Sequence, residues 1–116
     1  RKRHMKFVNY EEIAKTIGYS YLNGGSFYWE DGCGNIKSYD SMNTVYLDNC
    51  IKFVERGIEK VKNSENDLDI KRRLSMLNDI SIEEVSEKQL KKAQKEIINI
   101  LKKKLNELKG YRKSRN

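Results

Sequence analysis

Between residues 90 and 108, apolar side chains return at steps of three and four: Leu90, Ala93, Ile97, Leu101, Leu105 and Leu108. That spacing runs along one face of an α-helix and leaves the rest of its surface polar. A stripe so narrow suits packing on one neighbouring helix, or on a second copy of itself as a homodimer. Such a helix draws its stability from the surface it covers rather than from intrinsic propensity. The rest of the chain must therefore supply a partner face.

Upstream, Leu47, Ile51, Val54, Ile58 and Val61 repeat in the same way, and Tyr46, Cys50 and Phe53 widen the stripe. The pattern predicts a core-facing helix over residues 41–62, opened by Asp40 or Ser41, with Ile51 in the buried face. Gly57 falls inside it and weakens it somewhat. Ile70, Leu74 and Leu77 predict a short helix over residues 68–77. Ser81 and Glu84 have the spacing of a capping box, and Ile80 with Val85 that of a hydrophobic staple, so the last helix is expected to begin there. It is expected to stop near Lys109, before Gly110, leaving residues 110–116 as a basic tail.

Near the N-terminus, Asn9 followed by Glu12 predicts a helix start with Val8 and Ile13 as its staple, and Gly18 predicts the stop. Residues 19–22 read as a strand. Ser26-Phe27-Tyr28-Trp29 and Ile36-Lys37-Ser38-Tyr39 flank a turn containing Asp31-Gly32 and Gly34-Asn35, which reads as a β-hairpin. Phe27 and Trp29 alternate with Tyr28, so the first pair is expected inward and Tyr28 outward. Two or three strands do not stand alone in water. The expected fold is therefore α+β: a small antiparallel sheet packed by a helix, followed by a long C-terminal helix, in one domain over residues 5–109.

Arg1-Lys2-Arg3-His4 has the look of a cloning remnant ahead of a native start at Met5, which would leave the native chain without histidine, the commonest general base. The sequence contains no Gly-x-Ser-x-Gly elbow, phosphate loop or His-Glu-x-x-His motif. Cys33 and Cys50 lack the spacing of a metal site and are too few for a disulfide scaffold. A non-enzymatic protein without cofactor or metal is expected. No apolar run approaches a membrane span and no signal-peptide pattern is present, so a reducing cytoplasm is the expected setting.

Charge is unevenly placed. Residues 5–87 hold 10 basic and 15 acidic side chains, whereas residues 88–116 hold 11 basic and 2 acidic. Lys88, Lys91, Lys92 and Lys95, then Lys102, Lys103 and Lys104, then Arg112, Lys113 and Arg115, form the first candidate binding surface, able to follow phosphates or an acidic protein face. The second is aromatic. Of 11 aromatic residues, eight lie between Tyr19 and Phe53, and Tyr28 with Trp29 could stack on a base or anchor an interface.

The run Trp29-Glu30-Asp31-Gly32, Ile36, Met42, Tyr46-Leu47-Asp48-Asn49-Cys50-Ile51 and Glu55-Arg56 is similar to a pattern in small phage and prophage proteins. There, a tryptophan and an Asp-Gly hairpin precede a helix with a Leu-x-Asn-x-Ile segment. Tyr46 stands where that pattern more often has histidine, and no functional residue is carried over. The resemblance implies a mobile-element accessory protein that acts stoichiometrically; some small phage proteins are anti-CRISPR or other anti-defence factors. The expected function is accordingly an inhibitor that docks on a host effector protein, or on the nucleic acid bound to it, in the bacterial cytoplasm. A nucleic-acid-binding regulatory protein and a sponge for a nucleotide messenger are the alternatives.

Overall fold

A computed structural model describes residues 7–115. The expectations about residues 1–4 and Met5 lie outside them. The fold is α+β, with a two-stranded antiparallel sheet and a long C-terminal helix. In chain order the elements are α1 (Tyr10–Thr16), β1 (Tyr28–Glu30), β2 (Ile36–Ser38), α2 (Thr44–Lys62), α3 (Asp67–Asn78) and α4 (Glu87–Ser114), with 3₁₀ segments at Ser20–Gly24, Tyr39–Ser41 and Ile82–Glu84. At 28 residues, α4 is about 42 Å long. It sets the long axis of a body measuring 58 × 24 × 21 Å. No helix among the described residues is long and apolar enough to cross a membrane.

The two stripes meet. Helices α2 and α4 run antiparallel, and α1 and α3 rest on α4 as well. Leu47, Val54 and Val61 from α2, with Ile97, Leu101 and Leu108 from α4, are 0–1% exposed. The apolar stripe of α4 is therefore covered by α2 within the same chain. Ile51, expected in that buried face, is only half buried. The buried face of α2 is displaced toward Cys50 and Gly57, where Tyr19 and Tyr21 pack, and Ile51 is left on the flank.

Local signals were right in kind more often than in position. Asn9 accepts the Glu12 amide at 3.1 Å and caps α1. Residues 19–22 are not a strand. Tyr19, Tyr21 and Leu22 are all buried, which an alternating strand cannot achieve, and the 3₁₀ segment brings Tyr19 and Leu22 to the same side. Helix α2 begins later than expected, with Asn43 accepting the Tyr46 amide at 2.8 Å, because residues 39–41 first form a 3₁₀ turn that buries Tyr39. The Ser81/Glu84 capping box forms but closes only the short 3₁₀ turn Ile82–Glu84. Extended Val85 interrupts it, and a second box, Ser86 with Gln89, starts α4. Leu77 is exposed rather than part of α3's inward face.

Nor does Gly110 end the last helix. It continues to Ser114 because its last turns are docked. Tyr111 donates to Asp40, Arg112 pairs with Asp48 at 3.0 Å, and Arg115 donates to the carbonyls of Met42 and Tyr39. The expected free tail is thus a clamp on the 3₁₀ turn that precedes α2.

In the hairpin, Tyr28 pairs with Ser38, Trp29 with Lys37 and Glu30 with Ile36. Trp29 turns inward and stacks on Tyr21, with centroids 4.4 Å apart and planes within 4°. Tyr28 faces outward as expected. Phe27 does not follow Trp29 inward. It sits at a φ of 64°, outside the strand, and is 53% exposed.

Gly57 lies in the middle of α2, where alanine would ordinarily favour the helix by about 1 kcal/mol. A Cβ there would stand 2.8 Å from the Tyr19 ring and 3.3 Å from the Tyr21 hydroxyl. Both rings are held: Tyr19 donates to Asn66 at 2.7 Å and Tyr21 stacks on Trp29. Gly57→Ala is therefore expected to lower stability by about 1–3 kcal/mol in urea unfolding, the reverse of the propensity effect.

Candidate nucleic-acid interface

At 100° per residue, Lys88, Lys91, Lys95, Lys102, Lys109 and Lys113 fall within one arc of roughly 60° on α4. All six are exposed. They form a nearly straight stripe about 38 Å long at 1.5 Å per residue. Lys92 and Lys103 flank it and are also exposed. Lys109 pairs with Glu55 at 3.3 Å. Among the described residues, Lys88, Lys91, Lys92, Lys95, Lys102, Lys103 and Lys113 form no ion pair.

The stripe widens where α2 meets it. On this flank the helices are joined by Arg112 with Asp48 and Lys109 with Glu55. Two turns further along α2, the complementary sequence breaks: Lys62 faces Lys91, Lys95 and Lys102 across a groove of about 400 Å³ floored by Val61 and Ile98. No carboxylate lines it. Lysines spaced three and four apart repel by about 0.2–0.5 kcal/mol per pair, and Lys88 and Lys91 also oppose the positive end of the α4 dipole. Positive charge collects here against local helix energetics.

Four expected site residues stand elsewhere, among them Arg115, which donates to the carbonyls of Met42 and Tyr39. Lys104 is half a turn from Lys95, inside the apolar face, and only 7% exposed. Its ammonium donates to the carbonyls of Gly25 (2.9 Å) and Tyr28 (2.6 Å), lies 3.5 Å from Glu107 and sits over the Tyr39 ring. It anchors the hairpin and is not part of the exposed surface. Arg112 is committed to Asp48. Trp29 is 5% exposed, whereas Tyr28, at 46%, stays open to solvent. Sequence reasoning did not assign Lys62 or Lys109 to the surface. The seven-residue repeat from Lys88 through Lys95 and Lys102 to Lys109 already contained the second, while Lys62 joins only through the packing of two helices.

Glu107 completes the anchor. Its Oε1 accepts from the Tyr39 hydroxyl (2.6 Å) and from the Phe27 amide (2.9 Å). Partial burial pushes its carboxyl up, but those two bonds and the Lys104 charge outweigh it and hold the group below the usual carboxylate range. Burial pushes Lys104 the opposite way from its ion pair, and burial prevails, so its ammonium lies below the ordinary lysine value. Comparison with known protein families, curated proteins and solved structures gave no match for this chain.

Two outcomes separate the anchor from the stripe. Lys104→Ala leaves Glu107 and two carbonyls without their cation and is expected to cost about 3–5 kcal/mol, whereas Lys95→Ala should stay within about 0.5 kcal/mol. Chemical denaturation of both variants measures this. Because the Glu107 carboxyl is depressed in the folded state, its contribution is complete above its unfolded value of about 4.3 and fades as pH falls through the lower folded value. The stability gap between the parent chain and Glu107→Gln, about 1.5–3 kcal/mol at neutral pH, should therefore shrink below about pH 4.

Proposed function

We propose that this chain is a non-enzymatic binding protein that lays the lysine stripe of α4, widened by Lys62, along a nucleic-acid backbone in the host bacterial cytoplasm. The observation that carries this reading is the stripe itself: exposed lysines in one line about 38 Å long, most of them without an ion pair among the described residues. Lysine supplies a compact point charge on a flexible stem, not the planar fork with which arginine reads guanine or a carboxylate. A surface of this composition contacts phosphates and positions a strand without reading its bases. A non-catalytic role is supported by Cys50, whose thiol burial pushes up to about 12, outside the range of a nucleophile at neutral pH.

A second reading keeps the anti-CRISPR-type inhibitor that the resemblance implies, with a host effector protein as partner. The outer face of the hairpin favours it. Tyr28 and Ile36 point to the same side of the ribbon and are 46% and 56% exposed. An exposed tyrosine beside an aliphatic side chain is the material of a protein interface anchor.

For the nucleic-acid reading, the affinity for a 30-base-pair duplex should fall linearly on a log–log plot against salt. Lys91→Ala with Lys95→Ala should flatten that slope by about two, one per lost phosphate contact. Charge reversal at the same two positions should weaken binding tenfold or more, with the melting temperature within a few degrees of the parent. A duplex affinity untouched by the reversal would sink the stripe as the contact surface. Loss of effector capture on Tyr28→Ala with Ile36→Ala, with duplex binding intact, would instead favour the inhibitor reading.

A further inference from the structure

Phe53 and Lys62 are nine residues apart on α2, half a turn from one another in projection. The side of α2 opposite the lysine groove carries Tyr46, Asn49, Cys50 and Phe53, which share one face at helical spacing. Together with Trp29 and the Asp31-Gly32 corner of the hairpin turn, they line an open crevice of about 230 Å³. Drug-sized ligands occupy sites of roughly 300–1,000 Å³, so this one is scaled to a single ring system.

Its walls are aromatic, and the Asn49 amide is an exposed polar group at its edge. Phe53 lies 6.5 Å from the Trp29 ring and 6.1 Å from Tyr21, yet it is 52% exposed. Tyr46 is half buried, with the Lys37 ammonium 4.6 Å from its centroid. The exposed Asn49 side chain makes no hydrogen bond among the described residues. The Asp31 carboxylate is already committed, accepting the amides of Cys33 and Asn35 at 2.9 Å each and facing Lys37 at 3.7 Å. The floor is the protonated thiol of Cys50, a small neutral surface. The Arg56 guanidinium stands 5.5 Å from the Phe53 ring, on the side that borders Tyr19 and Tyr21 rather than the crevice.

We propose that this crevice is a nucleobase site, with the base stacked on the aromatic wall, its edge on Asn49 and its phosphate left outside in solvent. Stacking needs only a flat π-face and is available from Phe53 without displacing the core. An asparagine amide offers one donor and one acceptor, the pattern that meets N7 and N6 of adenine. Adenine presents that pattern on its N6/N7 edge, which makes AMP the probe. The site does not depend on the lysine stripe, since the two lie on opposite sides of the α2–α4 pair. The base can come from a free nucleotide or from an unpaired position in a strand.

Trp29 is the chain's single tryptophan and forms one wall, so its fluorescence reports occupancy directly. Titration of the full chain with AMP is expected to quench it saturably, with a dissociation constant below about 1 mM. Ribose 5-phosphate should leave the signal unchanged. Asn49→Ala and Phe53→Ala should each weaken AMP binding about fivefold or more. Asn49 is exposed, so its variant folds even if loss of the Phe53 ring disturbs the hairpin. A short oligoadenylate that binds tenfold tighter than AMP places the base in a strand, and equal affinity assigns a free nucleotide. The proposal is overturned by no saturable quench up to about 10 mM AMP, by an equal response to ribose 5-phosphate, or by AMP binding that survives Asn49→Ala undiminished.

Discussion

The ammonium of Lys104 sits where the apolar face of α4 would otherwise continue, and the surrounding fold is arranged to receive it. Taking that charge out of water costs several kcal/mol unless partners replace the lost hydration. Two hairpin carbonyls, the Glu107 carboxylate and the Tyr39 ring do so together. Glu107 lies one turn along the same helix, while Gly25 closes the 3₁₀ segment, Tyr28 lies in β1 and Tyr39 in the turn before α2, so meeting the need of one cation fixes all three against α4. A sheet of two three-residue strands has little stability of its own. Its place in the fold depends on this ion and on the Trp29–Tyr21 stack.

That anchorage also decides which way α4 faces. Once Lys104 and Leu101 point inward, the lysines half a turn away must point outward, and a helix with so many of one charge separates into a packed side and a cationic side. The pairing of α2 with α4 follows the same division. Their flank is neutralised at one end, where Asp48 meets Arg112 and Glu55 meets Lys109, and left positive at the other, where Lys62 meets three lysines. Helix packing thus concentrates charge that the chain carries in two distant segments.

The opposite side of α2 has a different character. Tyr19 and Tyr21 fill the space above Gly57, Trp29 stacks on Tyr21, and beyond Trp29 the side chains of Phe53 and Tyr46 border a crevice. Gly57 is central to this arrangement, because the close approach of both tyrosines requires a helix position without a side chain. What reads as a weakness in helix propensity is the space that the aromatic cluster occupies.

The sequence by itself determined the two long helices, the hairpin and the α+β class, because periodicity and turn chemistry are local and each short segment carries its own signal. It also determined that positive charge gathers on α4. Boundaries and roles were decided elsewhere. Residues 19–22 have strand-like composition, but a tertiary demand to bury three of four side chains made them 3₁₀. Gly110 would end an isolated helix, yet contacts of Tyr111, Arg112 and Arg115 with distant residues carry α4 onward to Ser114. Lys104 alone of the three neighbouring lysines falls on the apolar stripe, three residues after Leu101 and four before Leu108, but the partners that hold its charge there, the carbonyls of Gly25 and Tyr28, are nearly eighty residues away and exist only in the folded chain. Lys62 joins the stripe for the same reason: the field at a surface point sums charges by distance in space, and that distance exists only once the helices have packed.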